Sequence, residues 1–137
     1  MKKNNMALVA VVGVALALGA SPAFAEGSWN SRVVNARPGF DSRSWQDSRT
    51  DNKRTAVTLK NCVYGNAKGL VKSVGVRLYA EWGWLPDQDA GTKTQNCGTY
   101  NFGKQNRKDR YHWNVFSIVN STSKAHTISS DPVSVEY

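Results

Sequence analysis

Two histidines are the side chains best suited to acid–base chemistry in this chain. His112 lies between Tyr111 and Trp113 in an aromatic stretch, and His126 lies in a polar stretch typical of turns. A serine hydrolase needs a base within hydrogen-bond reach of its nucleophile and a third group that orients the base. No Gly-x-Ser-x-Gly motif accompanies either histidine. We interpret both as structural or solvated side chains and predict that the chain is not an enzyme.

The carboxylates offer equally little for catalysis or metal binding. Asp47 and Asp51 are flanked by Arg and Lys residues, which stabilise the ionised carboxylate and weaken a general acid. Asp87 and Asp89 lie in a predicted loop, residues 86–91, without the Gly and Glu positions of a calcium-binding loop. The histidine and cysteine spacings match no zinc pattern. We expect no metal and no cofactor.

Cys62 and Cys97 are the two cysteines of the chain. An even number of cysteines in a small exported protein usually forms internal bridges. The spacing does not match the Cys-x-x-Cys pattern of redox or metal sites. We predict one disulfide, which in the chain-entropy model stabilises the fold by about 3–4 kcal/mol.

A pair of tryptophans, Trp82 and Trp84, is the first candidate binding surface. Exposed indoles beside a loop stack on sugar rings or anchor a protein partner. Alternation along the preceding stretch places Trp82 on a buried face, so core packing is the alternative for that residue. Trp84 precedes Leu85 and Pro86 and fits either role.

The second candidate surface is an aromatic and basic segment, residues 26–53. It has too few aliphatic side chains to form its own core. Aromatic side chains separated by arginine suit insertion into a partner's groove, and an extended arm can add a strand to a partner's sheet. We predict an arm over residues 26–38 that is open to a partner, whereas residues 39–47 either hinge the arm or fold back and cap the domain. The predicted partner-binding residues are Trp29, Arg32, Val33, Val34, Arg37, Phe40, Arg43 and Trp45.

The elements that position these side chains are β-strands. Alternating or β-prone stretches occur at residues 54–60, 74–82, 99–102, 111–119 and 132–137. In the fourth stretch, alternation places Trp113 and Val115 on one face, with Phe116 and Ile118 on the other. Turn-forming segments separate the stretches at the spacing of an antiparallel sandwich. We predict an all-β fold, a small antiparallel β-sandwich over residues 54–137 with one disulfide and an extended N-terminal arm.

Residues 1–25 have the pattern of a secretory signal. Lys2 and Lys3 provide a positive start, residues 7–20 are apolar, and residues 21–25 carry a small-x-small cleavage pattern. The apolar run is shorter than the roughly 20 residues that span a bilayer, which disfavours a membrane anchor. We expect an extracellular protein that begins at Glu26. It would have a formal charge of +6, because two of the 18 Lys and Arg residues are removed against 10 Asp and Glu. The excess suits an acidic extracellular partner or simply solubility, with no nucleic acid as partner.

Several motifs together resemble a family of small secreted proteins. They are the exported start, Gly39-Phe-x-Ser-Arg-x-Trp-x-Asp47, Val57-Thr-Leu-x-x-Cys62, the valine-rich stretch at 74–78, Cys97 and Val133-x-Val-x-Tyr137. In this order they resemble the adaptor, or spoke, subunits of the secreted umbrella toxin particles of Streptomyces and related actinobacteria. The resemblance implies a non-enzymatic connector in interbacterial competition. Its partners would be a trypsin-like lectin subunit and a large toxin polypeptide with helical repeats.

Three other functions are compatible with the same residues. A small basic polypeptide rich in tryptophan could act directly on anionic envelopes without stable membrane insertion. A carbohydrate-binding module would use Trp82 and Trp84. An inhibitor of secreted trypsin-like proteases would present Arg32 or Arg37. Membrane leakage, retention on polysaccharide and a protease assay distinguish these three from an adaptor.

Overall fold

The protein is a two-layered β-sandwich, as predicted. The computed structural model describes residues 27–65, 73–118 and 126–137, and the predicted signal at residues 1–25 lies outside them. In these ranges the chain forms two antiparallel sheets without any helix, so no helix there is long and apolar enough to cross a bilayer. The strands are β1 (Ser28–Ala36), β2 (Phe40–Asp41), β3 (Trp45–Asp47), β4 (Thr55–Leu59), β5 (Val63–Gly65), β6 (Val74–Trp82), β7 (Leu85–Gln95), β8 (Gly98–Gly103), β9 (Asp109–Ile118) and β10 (Thr127–Glu136).

The two sheets meet along two opposite sides of the sandwich. The first sheet has the order β1-β10-β4-β8, and β5 also pairs with β10. The second has the order β2-β9-β6-β7, and β3 also pairs with β9. A two-residue turn joins β7 to β8, and these two strands contact each other across the sheets. One side is therefore formed by β7 and β8, and the other by β1 with β2 and β3.

Regular alternation builds the central strands and the core. Val74, Val76 and Leu78 of β6 are fully buried between the sheets, while the intervening side chains face outward. Val57 and Leu59 of β4 meet them from the first sheet. Burial of each such side chain contributes about 1.5–3 kcal/mol.

The prediction that residues 26–38 form an open arm is wrong. Ser28–Ala36 is an edge strand that pairs antiparallel with β10 along its length. The pairing has a register shift on each side of Val33, and Asn35 adopts a positive φ of 51°. Because these bulges break the period of two, Val33 and Ala36 are both buried although they are three residues apart. An interrupted period conceals a strand from sequence analysis.

Residues 39–47 fold back onto the sandwich. Of the two alternatives for this segment, a hinge for the arm or a cap on the domain, the second is confirmed. Phe40 and Asp41 pair with Val115 and Asn114 of β9, and β3 pairs with the start of the same strand. The amide of Gly39, which has a φ of 97°, donates to the Val115 carbonyl at 2.7 Å. The sandwich therefore begins at β1 and not at residue 54.

Two other sequence expectations change. Residues 86–91, expected to be a loop, lie within the edge strand Leu85–Gln95. Its side chains are mostly polar and exposed, so no alternation of apolar residues marks it. In β9, a register shift leaves Phe116 as an extra residue opposite β6. Because of this extra residue, Ile118 is fully buried like Val115. Simple alternation had placed the two side chains on opposite faces.

The predicted disulfide is present. Cys62 and Cys97 are bonded, with a Cα–Cα distance of 6.1 Å. Cys62 follows β4, and Cys97 lies in the turn that joins β7 to β8. The bond therefore fixes the turn where the chain crosses from one sheet to the other.

Candidate functional site

The two sides of the sandwich differ in how well they are filled. We call the side formed by β1, β2 and β3 the arm side. It retains a cavity of about 130 Å³ beside its aromatic rings, and a cavity of about 380 Å³ lies at its end, lined by Ser28, Lys53, Arg54, Glu136 and Tyr137. The other side has a cavity of about 490 Å³ beside the β6–β7 hairpin, which we call the hairpin groove. Its lining residues are Ala80, Trp82, Gln88, Asp89, Ala90, Phe102, Lys104, Gln105, Asn106, Arg107 and Tyr111.

On the arm side, aromatic rings close the sandwich from within. Trp45 is buried, and its ring centroid lies 6.0 Å from that of Trp29 and 5.6 Å from that of Tyr137. Phe40 packs on Trp113 with 5.6 Å between the centroids. Aromatic pairs at these separations stabilise a fold beyond their buried area. Trp29, Phe40 and Trp45, which the sequence analysis predicted as partner-binding residues, thus pack on aromatic rings of their own domain.

The remaining predicted contact residues divide into covered and exposed groups. Arg43 places its guanidinium 4.3 Å from the Trp29 ring centroid, which covers one indole face. Val34 is 66 % exposed, and Arg32 and Arg37 are exposed as well. These three residues lie on or just after β1, whose outer edge carries no further strand in the described part of the chain. The arm side therefore offers a strand edge, and its aromatic cavity is small.

The hairpin groove has an aromatic floor. Trp82 of β6, Phe102 of β8 and Tyr111 of β9 line it from both sheets. Gly91 has a φ of 146°, and a Cβ there would lie 3.0 Å from Phe102 Cδ1. The bulged backbone of β7 therefore makes room for the Phe102 ring.

The rim of this groove is held in place by hydrogen bonds. The Tyr111 hydroxyl donates to the Arg107 carbonyl at 2.8 Å, and Gln105 Nε2 donates to the Phe102 carbonyl at 3.1 Å. Arg49 Nη1 donates to the Asn106 carbonyl, and Lys104 Nζ donates to the side chain of Asn52. The loop at residues 104–107 is thus bonded at each of its positions.

The two candidate tryptophans have different environments. Trp82 is partly buried, and the Arg107 guanidinium lies 3.9 Å from its ring centroid. Its indole Nε1 is buried and has no hydrogen-bond partner among the described residues. Trp84 is 91 % exposed at the tip of the β6–β7 hairpin, next to Leu85, which is 37 % exposed. Core packing, the alternative given for Trp82, therefore describes its position in part, whereas Trp84 is a surface residue.

His112 lies on the outer face of the second sheet among carboxylates. Its Nδ1 is 3.2 Å from Glu81 Oε1, and its Nε2 is 3.7 Å from Asp41 Oδ1 and 3.9 Å from Asp87 Oδ2. The Ser44 hydroxyl donates to Glu81, not to the imidazole. A hydrolytic triad needs the histidine between the serine and the acid. Here Glu81 lies between Ser44 and His112, so the histidine does not activate the serine.

Burial changes the acidity of two tyrosines at the core of the sandwich. Desolvation by burial raises the pKa of Tyr111 to about 12, with smaller contributions from Asp47 and Asp109. Desolvation also raises the pKa of Tyr100, whose side chain is fully buried. Both hydroxyls donate to backbone carbonyls, Tyr111 to Arg107 and Tyr100 to Gln95. Tyr111 thus links the core to the groove rim in its neutral form.

Sequence reasoning missed most of the groove. The lining comes from two separate stretches of the chain, residues 80–90 and residues 102–111, which meet because β7 crosses to β8 beside β6. Two signals were available: Trp82, which the sequence named as a candidate, and the basic segment around Arg107, which sequence alone interprets as solvated surface. In the described ranges, no group of three or more His, Cys, Asp or Glu side chains is placed to hold a metal ion. The chain matches no protein-family model, no curated protein and no solved structure.

Proposed function

We propose that this chain is a secreted, non-enzymatic adaptor that links the subunits of an extracellular particle. The observation that carries this proposal is Trp84, an indole 91 % exposed at the tip of a hairpin. Tryptophan is strongly enriched among the residues that dominate protein interfaces. The rigid hairpin, paired along β6 and β7, presents this side chain at little entropic cost.

An adaptor needs two separate contact surfaces, and two exposed features on opposite sides of the sandwich support this role. The hairpin tip extends from β6 and β7, while the outer edge of β1 lies on the opposite side with Arg32, Val34 and Arg37 exposed. We assign one surface to the trypsin-like lectin subunit and the other to the repeat-bearing toxin polypeptide that the resemblance implies. The edge of β1 takes the role first given to an open arm.

A protein partner fits the hairpin better than a sugar does. A sugar platform of two tryptophans needs two accessible indole faces. Arg107 covers one face of Trp82, and Trp82 is partly buried, which leaves Trp84 as a single anchor. Retention of the protein on insoluble polysaccharide would instead support the carbohydrate-binding alternative.

Recovery of partners from culture supernatant tests the proposal. We would compare the tagged wild-type protein with Trp84→Ser and with Val63→Ser, since Val63 is 66 % exposed on the first sheet and serves as the matched control. Mass spectrometry should find stoichiometric partners with the wild type and with Val63→Ser, and lose one partner with Trp84→Ser. A wild-type protein that elutes alone as a monomer contradicts the proposal.

A further inference from the structure

We propose that the hairpin groove binds a segment of the protein partner that presents carboxylates beside one aromatic side chain. This inference names the chemistry of the partner at the hairpin end and so rests on the proposed function. The groove volume of about 490 Å³ falls in the range of roughly 300–1,000 Å³ that is typical of ligand pockets. It is large enough to take one aromatic side chain with its flanking residues.

The floor of the groove selects an apolar group. Trp82 and Phe102, which are both partly exposed, supply the aromatic surface, and Ala90 adds a small apolar wall, whereas Tyr111 and Ala80 are buried. An inserted aromatic ring would contact Trp82 and Phe102 in the offset or edge-to-face geometry that such pairs favour.

The rim of the groove selects negative charge. The segment 104–110 contains four basic residues and one acidic residue. Arg107 is paired with Asp109 and Arg110 with Glu81, so the positive charge of the rim depends mainly on Lys104. Lys104 bonds to the neutral side chain of Asn52, so this contact does not cancel its charge. Asp89, the acidic residue of the lining, is paired with Arg77 at 3.3 Å. A carboxylate near Lys104 therefore meets a positive field.

An unsatisfied donor points to an acceptor on the ligand. Trp82 Nε1 is buried without a hydrogen-bond partner among the described residues. A buried donor without a partner is unfavourable, so a bound segment that shifts the Trp82 ring enough to bring an oxygen to this nitrogen would gain a hydrogen bond. Because the loop at 104–107 is already fixed by hydrogen bonds, binding does not have to order it.

Indole N–H signals in a two-dimensional ¹⁵N–¹H spectrum test this proposal directly. The probes are the peptide acetyl-Gly-Glu-Phe-Asp-Gly-amide and its amide analogue acetyl-Gly-Gln-Phe-Asn-Gly-amide. We expect the acidic peptide to shift the Trp82 signal saturably, and to leave unmoved the signals of Trp29, Trp45 and Trp113, whose Nε1 atoms are also buried without partners. The amide analogue should bind at least ten-fold more weakly.

Two variants with the same change of charge distinguish attraction of the acidic peptide by the groove from attraction by the overall charge of the protein. Lys104→Glu should weaken the acidic peptide at least ten-fold, whereas Lys93→Glu, an exposed position on β7 outside the groove lining, should change it less than two-fold. Dispersed indole signals in each variant establish that it is folded. No saturable Trp82 shift at millimolar acidic peptide, equal binding of both peptides, or equal effects of the two variants would each overturn the proposal.

The outcomes also distinguish this inference from the proposed function. If Trp84→Ser loses a partner but the acidic peptide leaves Trp82 unmoved, the adaptor stands and the groove chemistry is wrong. If the peptide binds but no partner is recovered by the wild type, the groove is a binding site and the adaptor function is wrong.

Discussion

The arm side and the hairpin side of this sandwich are built from the same kinds of residues with opposite results. Each side stacks an arginine on a tryptophan, Arg43 on Trp29 at 4.3 Å and Arg107 on Trp82 at 3.9 Å. On the arm side the space beside Trp29, Phe40 and Trp113 is reduced to about 130 Å³, and a polar cavity of about 380 Å³ lies beside Ser28 and Tyr137, whereas the hairpin side keeps an aromatic groove of about 490 Å³. Aromatic and basic composition alone therefore does not identify a binding surface.

The difference arises from what lies between the sheets on each side. On the arm side, the buried ring of Trp45 fills the space, and the C-terminal Tyr137 packs on it at 5.6 Å. On the hairpin side, the rings of Trp82 and Phe102 line the groove without filling it, next to the small side chain of Ala90. Rings that pack on each other make the first side structural, whereas the rings of the second side border an open groove.

Deletion of residues 26–38 should have the largest effect on stability. It removes β1, exposes the buried edge of β10 and leaves the β10 backbone groups unpaired. We expect a loss on the order of 3–5 kcal/mol, which lowers the melting temperature by about 10 °C or more. Thermal unfolding followed by circular dichroism measures it. An unchanged melting temperature would restore the open arm.

Trp45→Ala should have the next largest effect. Truncation of a buried tryptophan costs about 3–5 kcal/mol, and here it also removes the contacts with Trp29, Tyr111 and Tyr137. Urea unfolding gives the change in free energy. A loss below about 1 kcal/mol would show that the arm side is not a packed core.

Alkaline pH should destabilise the fold through the buried tyrosines. The pKa of Tyr111 is raised from 10.0 to about 12 by burial, so the folded state holds this proton more tightly than the unfolded chain does. The stabilisation is complete below pH 10 and is lost as the pH rises from about 10 to about 12. Urea midpoints over this range should fall less steeply in Tyr111→Phe. Parallel curves for both proteins would contradict the assignment.

Trp84→Ser should have the smallest effect on stability. The side chain is 91 % exposed, and substitutions at such positions usually change the free energy of unfolding by less than about 0.5 kcal/mol. Urea unfolding alongside Trp45→Ala supplies the comparison within one residue type. A loss above about 2 kcal/mol would mean that Trp84 packs in the fold and is not a free anchor.

The sequence predicted the parts of the fold in which one physical rule acts alone. Unbroken alternation marked β4 and β6, and cysteine number and spacing predicted the Cys62–Cys97 bond. β1 was missed because bulges around Val33 interrupt the period, and β7 because its exposed side chains carry no apolar signal. Trp84 was identified as a candidate, but the groove beside it was not, because four strands from both sheets build it.

Hydrogen exchange of the protein, free and bound to its partners, tests the comparison most directly. We predict that the amides of Ser28–Ala36 paired to β10 are already protected in the free protein. Binding of both partners should add protection at the β6–β7 hairpin, at residues 104–107 and at the amides on the outer edge of β1. Rapid exchange over Ser28–Ala36 in the free protein, with protection gained there alone on binding, would contradict the account and return the binding role to the arm.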